Sequence, residues 1–170
     1  MLDRISNAAL HWILRDPSTR MSTLRAIYDC LKPGGSYVFE MGGHGNVPEA
    51  MTALTFALMQ QGVSIEKARE VNPWFFPSEV WMRNALETVG FQVEKIETEY
   101  RPTKLTSSTN GGLAGWVRLM GAQFLELLPS EKQDVAVQQI CDVLQNVVTR
   151  EEDGSQWLGY VRLRGVAKRV

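Results

Sequence analysis

A helix stop followed at once by an apolar strand is the feature that most restricts what this chain can become. Met21, Leu24, Ile27 or Tyr28, and Leu31 recur at helical spacing, so a helix is expected after Asp16-Pro17, with the aspartate as cap and the proline at the first helical position. Lys32-Pro33-Gly34-Gly35 ends that helix, because proline and paired glycines do not continue it. Ser36 to Met41 (SYVFEM) then reads as a short strand rich in aromatic and apolar residues.

The remaining signals repeat this alternation. Leu2 to Ser6 reads as a short strand, and Asn7 to Trp12 as a turn or helical start. Gly42-Gly43-His44-Gly45 is a flexible turn, after which Asn46 with Glu49 reads as a capping box for a helix that Gly62 ends. Ser64 to Glu70 adds a short helix, and Asn72 to Pro77 is excluded from regular helix. Ser78 caps a helix with Met82, Ala85, Leu86 and Val89 on one face, and Gly90 closes it. The alternation of the strand from Phe91 to Tyr100 slips between Val93 and Ile96, which predicts a bulge. Arg101 to Gly112 is a loop, and Leu113, Trp116, Val117, Met120, Phe124 and Leu127 mark one amphipathic helix. Ser130 with Gln133 predicts a capped second helix to about residue 149, and Trp157 to Arg169 a closing strand. The order of elements is an α/β pattern in one domain of 170 residues.

Composition excludes several function classes. Basic and acidic residues nearly balance at 18 against 19, with no basic run or face, so nucleic acid is not an expected partner. No apolar run is long enough for a membrane span, and Met1-Leu2-Asp3-Arg4 does not read as a signal peptide. Cys30 and Cys141 are expected to be reduced in a cytoplasmic chain. His11 and His44 are the only histidines, and no cluster has metal-ligand spacing.

Three stretches carry a family resemblance. Ile5 to Trp12 (ISNAALHW), Leu31-Lys32-Pro33-Gly34-Gly35 before a strand, and Trp157 to Lys168 (WLGYVRLRGVAK) resemble, in order, the second half of trans-aconitate-methyltransferase-like enzymes of the class I S-adenosylmethionine-dependent superfamily. Phe76-Pro77-Ser78, Val89-Gly90-Phe91 and Arg101-Pro102-Thr103 fall between them as the resemblance requires. It implies a truncated Rossmann-like sheet of strands four to seven, with helical cap segments at about 46–76 and 112–149. That family grips its cofactor through a glycine-rich turn and a ribose-holding acid, and neither is found here. Gly43-His44-Gly45 has a strand before it and a helix after it, but Pro48 stands where a third glycine would be needed.

In open α/β sheets pockets form at the carboxyl ends of strands, which directs attention to residues 6–12, 40–46 and the loop after Tyr100. His11, Glu40 and His44 are the candidate proton-transfer residues, each with a structural alternative: a hydrogen-bonded histidine or a paired carboxylate. Trp12, Asn46, Trp74, Phe75, Phe76, Trp116, Met120, Tyr160 and Arg162 are candidate substrate contacts. Trp116 and Met120, at helical spacing, also suit a core, and Arg162 with Arg164 suits solvated charge. By the resemblance, Ser6, Asn7 and Ala8 touch S-adenosylmethionine if it is bound.

Three functions are expected in turn. The first is a pseudo-methyltransferase that binds a small organic molecule and promotes a cofactor-independent cyclisation, isomerisation or elimination, with no cofactor for this chain alone. The second is a methyltransferase whose S-adenosylmethionine half comes from elsewhere, and the third is a non-catalytic binding protein. Strands one to three would normally cover the fourth, so an uncovered edge or face is expected to drive a two-fold homodimer.

Overall fold

The computed structural model describes residues 4–107 and 111–170, so Leu2 and Asp3 of the expected first strand and residues 108–110 of the expected loop lie outside the described residues. In chain order the elements are β1 (Arg4–Asn7), α1 (Leu10–Ile13), α2 (Arg20–Asp29), β2 (Ser36–Gly42), α3 (Pro48–Gln60), α4 (Ile65–Glu70), α5 (Glu79–Val89) and β3 (Phe91–Tyr100). They continue as β4 (Thr103–Lys104), α6 (Gly112–Met120), α7 (Ala122–Leu125), α8 (Ser130–Val148), β5 (Trp157–Leu158) and β6 (Val161–Arg169). They form two compact units.

The first unit comprises residues up to Asn46, Trp74–Arg101 and Tyr160–Val170. Its sheet has the order β1-β2-β6-β3, with β1 parallel to β2 and β6 antiparallel to both neighbours. The expected bulge is present as a register shift between Val93 and Lys95. Strand alternation sends Tyr37, Phe39, Met41, Leu163 and Ala167 to one face, where they join Leu24, Met82 and Leu86 in the core. Gly165 lies under the Phe39 ring, which occupies the space a Cβ would need. On the opposite face stand Val38, Glu40, Arg164 and Val166. That face borders an open cavity of about 530 Å³.

The second unit comprises Val47–Pro73 and Pro102–Gly159. Here α3 packs on α8, and Ala50, Leu54, Ala57, Val137, Ile140 and Leu144 are buried on these two helices. The single helix expected from Leu113 to Leu127 is two helices, α6 and α7. They break at Gly121, where a Cβ would lie 2.6 Å from the Val117 carbonyl oxygen and 2.8 Å from Leu54.

Side-chain capping departs from the sequence reading at two places and agrees with it at a third. Asn46 and Glu49 do not box the start of α3, whose cap residue is Val47 in the left-handed region (φ 43°) with no side-chain bond. Instead Asn46 Oδ1 accepts from the Val161 amide at 2.8 Å, and Glu49 Oε1 accepts from the Gly159 amide at 2.6 Å. Those two amides flank the point where the expected closing strand divides into β5 and β6. Ser130 and Gln133 likewise form no box: Gln133 donates to the Leu128 carbonyl. Ser78 does cap α5, by accepting from the Trp81 amide, and Gly90 ends it at φ 109°.

Candidate ligand site at the carboxyl ends of β1 and β2

β1 stops because Ala8 turns into the left-handed region (φ 52°) while its amide still donates to the Glu40 carbonyl at 2.9 Å. The chain then enters α1, which buries His11. The Gly42 amide donates to His11 Nδ1 at 3.2 Å. A backbone amide can only donate, so Nδ1 is the acceptor and the ring proton sits on Nε2. Burial, and then the positive charge of Arg162, lower the His11 pKa to about 4. The ring is therefore neutral at pH 7.

An aromatic wall forms around it. His11 lies 5.7 Å from both Trp12 and Phe76, Trp12 meets Trp74 edge-on at 5.4 Å, and Trp74 stacks on Phe76 at 5.9 Å. The Phe75 amide donates to the His11 carbonyl at 2.9 Å, which ties the Trp74-Phe75-Phe76 loop to α1. Phe75 itself turns away, against Trp81 and the Arg20 guanidinium. Gly42 is a glycine because a Cβ there would stand 2.5 Å from Phe76 Cε1 and 3.1 Å from Asn46 Nδ2.

The turn from Gly42 to Asn46 is no cofactor cradle. Its amides are committed within the unit: Gly42 to His11, Gly43 to the Val161 carbonyl, His44 to the Pro77 carbonyl and Asn46 to the Gly43 carbonyl. That leaves few donors for a nucleotide.

Glu40 is a paired carboxylate. Arg164 Nε donates to it at 2.6 Å, Arg162 stands at 3.9 Å and Arg101 at 4.0 Å. Arg164 also binds Glu99 at 2.5 Å, and its hydrogen bond to Glu40 raises its pKa. Arg162 lies over the Tyr160 ring, 4.7 Å from its centre.

The structure thus gathers His11, Trp12, Asn46, Trp74 and Phe76 around Gly42, with Arg162 bridging towards Glu40. It does not join His11, Glu40 and His44: no hydrogen bond or ion pair links them among the described residues, and the His44 side chain is exposed. Trp116 and Met120 lie half-buried on α6 of the second unit. Ser6, Asn7 and Ala8 sit together at the end of β1, Asn7 and Ala8 exposed. Gly42 escaped the sequence reading. Its signal is a glycine ending an apolar strand, a mark of close approach. Among the described residues, no group of His, Cys, Asp or Glu could hold a metal ion, and no helix is long and apolar enough to cross a membrane.

A mixed sheet with β6 inserted antiparallel between β2 and β3, and helices packed on it, is the α/β fold of class I methyltransferases. The chain is methyltransferase-like in sequence as well. It is 36% identical over 162 residues to an uncharacterized methyltransferase of Schizosaccharomyces pombe, a match that covers 95% of this chain and 60% of that protein. Loganic acid methyltransferase with SAH (S-adenosylhomocysteine) matches in fold with a TM-score of 0.57 at 16% identity, over 98% of this chain and 61% of that one. The YcgJ protein of Bacillus subtilis matches with a TM-score of 0.53 at 10% identity, over 99% and 64%. The chain therefore spans between 60% and 64% of the length of these relatives. No family model matches it.

Proposed function

We propose that this chain is the substrate-side part of an S-adenosylmethionine-dependent methyltransferase acting on a small molecule. The observation that carries this reading is 36% identity to a methyltransferase along 95% of the chain. The ligand site at the strand ends agrees with it. Trp12, Trp74 and Phe76 offer an apolar aromatic wall for the substrate and exclude water beside it. Asn7 and Ala8, exposed at the end of β1, and Ser6 before them would meet the cofactor. The remaining cofactor contacts would come from polypeptide beyond these residues. When bound, S-adenosylmethionine supplies a sulfonium methyl group to a substrate nucleophile.

Cofactor-independent cyclisation or isomerisation has less support. It needs proton transfer, and His11 and Glu40 are each occupied in separate interactions. The test is calorimetry with S-adenosylmethionine on the native gene product, purified with whatever it is joined or bound to. We expect binding, with at least about a tenfold loss in Asn7→Trp, a crowding change at an exposed position equivalent to roughly 1.4 kcal/mol. Failure of the native assembly to bind the cofactor overturns the reading.

A further inference from the structure

We propose that the outward face of the α3–α8 pair is a self-association surface that takes the same face of a second copy of this chain. This stands apart from the methyltransferase reading, because it uses neither the strand ends nor any cofactor.

The two helices are apolar on two sides. Inward, α3 buries Ala50, Leu54, Ala57 and Leu58, and α8 buries Ala136, Val137, Ile140 and Leu144. Outward, Phe56 and Met59 of α3 are 47% and 44% exposed, and Val135, Val143 and Val147 of α8 are 50%, 55% and 68% exposed. A surface helix carries polar residues on its outer side. Valine also weakens a bare helical position, because its branched side chain loses rotamer freedom there and gains no burial. Val135, Gln139, Val143 and Val147 follow at intervals of four, which makes one ridge along α8. Thr52 and Phe56, also four apart, make the facing bank on α3. Between the banks lies an open groove of about 630 Å³, which Pro48, Ala53 and Leu144 also line.

Three features fit a second copy as the occupant. Ridge and groove lie side by side on one face, so the ridge of each copy can seat in the groove of the other, the reciprocal arrangement of a two-fold contact. The groove carries no unpaired charge: Glu49 is the one charged residue lining it, and its carboxylate accepts from the Gly159 amide. A two-fold contact sets like residues against one another near its axis, where bare charge would repel. The third feature is area. α3 has 13 residues and α8 has 19. At about 1.5 Å of rise per residue and about 10 Å of width per helix they present roughly 500 Å² per copy, so two copies cover about 1,000 Å², the lower limit of a specific interface. Such an area suits a reversible dimer rather than a permanent one.

Sedimentation velocity on the full chain, from about 1 to about 300 μM, spans the association expected of so small an interface. We expect a reversible monomer–dimer equilibrium with no larger species. Phe56→Glu and Val143→Glu each place like charges across the contact and should weaken the dimer at least about tenfold. Val38→Glu, on the open sheet face, and Leu119→Glu, exposed on α6, should leave it unchanged. Circular dichroism checks that each variant keeps its helices. Hydrogen exchange on the unaltered chain gives a reading that needs no variant: α3 and α8 should exchange more slowly at the high concentration than at the low, and α5 alike at both. A monomer throughout the range overturns the proposal, and uptake of anilinonaphthalene sulfonate by that monomer, lost in Val143→Glu, would assign the groove to an apolar small molecule instead. A dimer that survives both the Phe56 and Val143 substitutions also overturns it, as does one that Val38→Glu breaks, which would place the contact on the sheet.

Discussion

On one face of the four-stranded sheet Tyr37, Phe39, Met41, Leu163 and Ala167 are sealed in a core; on the other, one residue away along the same strand, Val38 is 39% exposed beside a ladder of opposite charges. That ladder pairs Glu40 with Arg164, Arg164 with Glu99, Lys168 with Glu94 and Lys95 with Glu97. Strand alternation alone separates the two chemistries. Burial fixes the first face. Ion pairs, cross-strand except for Lys95–Glu97, hold the second in a form that tolerates water.

The largest expected effect probes that contrast directly. Leu163→Ala, on the covered face, should lower unfolding free energy by about 3 kcal/mol through transfer and cavity losses. Val38→Ala, on the open face, should change it by no more than about 0.5 kcal/mol. Urea titrations of the two variants measure both. A Val38→Ala loss near that of Leu163→Ala would mean the open face is covered in solution. Light scattering then separates a second copy of this chain from a cofactor-bearing partner.

A smaller effect belongs to His11. Its folded pKa lies near 4 and the unfolded value near 6.5. Above pH 6.5 both states are neutral there and the folded form keeps its full stability. As pH falls from 6.5 towards 4 the unfolded chain gains a proton that the folded chain refuses, so stability declines through that window. The decline should be on the order of 2 kcal/mol, less than the full shift implies because the outer edge of the ring can still hydrate. His11→Asn should flatten the curve between pH 4 and 6.5, and thermal melts across that range read it.

The smallest effect is expected at Glu40. Glu40→Gln should cost at most about 1 kcal/mol, since Arg164 is partly exposed and water screens the pair. Raising the salt concentration should shrink the difference between this variant and the parent. A larger, salt-independent loss would put the ladder beneath a partner instead of at the surface.

The element order was legible because it rests on local periodicity. Met82, Ala85, Leu86 and Val89 announce α5, and the slip after Val93 announces its bulge. What was hidden depends on pairs far apart in the chain. Asn46 and Glu49 have the residue types of a helix box, yet their side chains accept from Val161 and Gly159, more than a hundred residues away. Nothing local distinguishes those two uses of the same oxygen atoms. Glu40 as a lone carboxylate at a strand end reads equally as acid or partner, and only the register with Arg164 decides it. His11 looked like a base because its ring titrates near neutrality in water. Burial and the charge of Arg162 remove that property, and both come from residues far from it in the chain.

The position of β6 governs how this sheet can assemble. It is the last of the four strands in chain order, yet it lies between β2 and β3, and its Arg164 meets Glu40 across 124 residues. Until it arrives, β2 and β3 have no common neighbour and their apolar sides have no shared layer. So large a loop must close before the core rewards it, which places this unit among slow folders with a late, concerted step. During that wait Tyr37, Phe39 and Phe91 stand bare, and a nascent molecule is most exposed to aggregation or to capture by a chaperone.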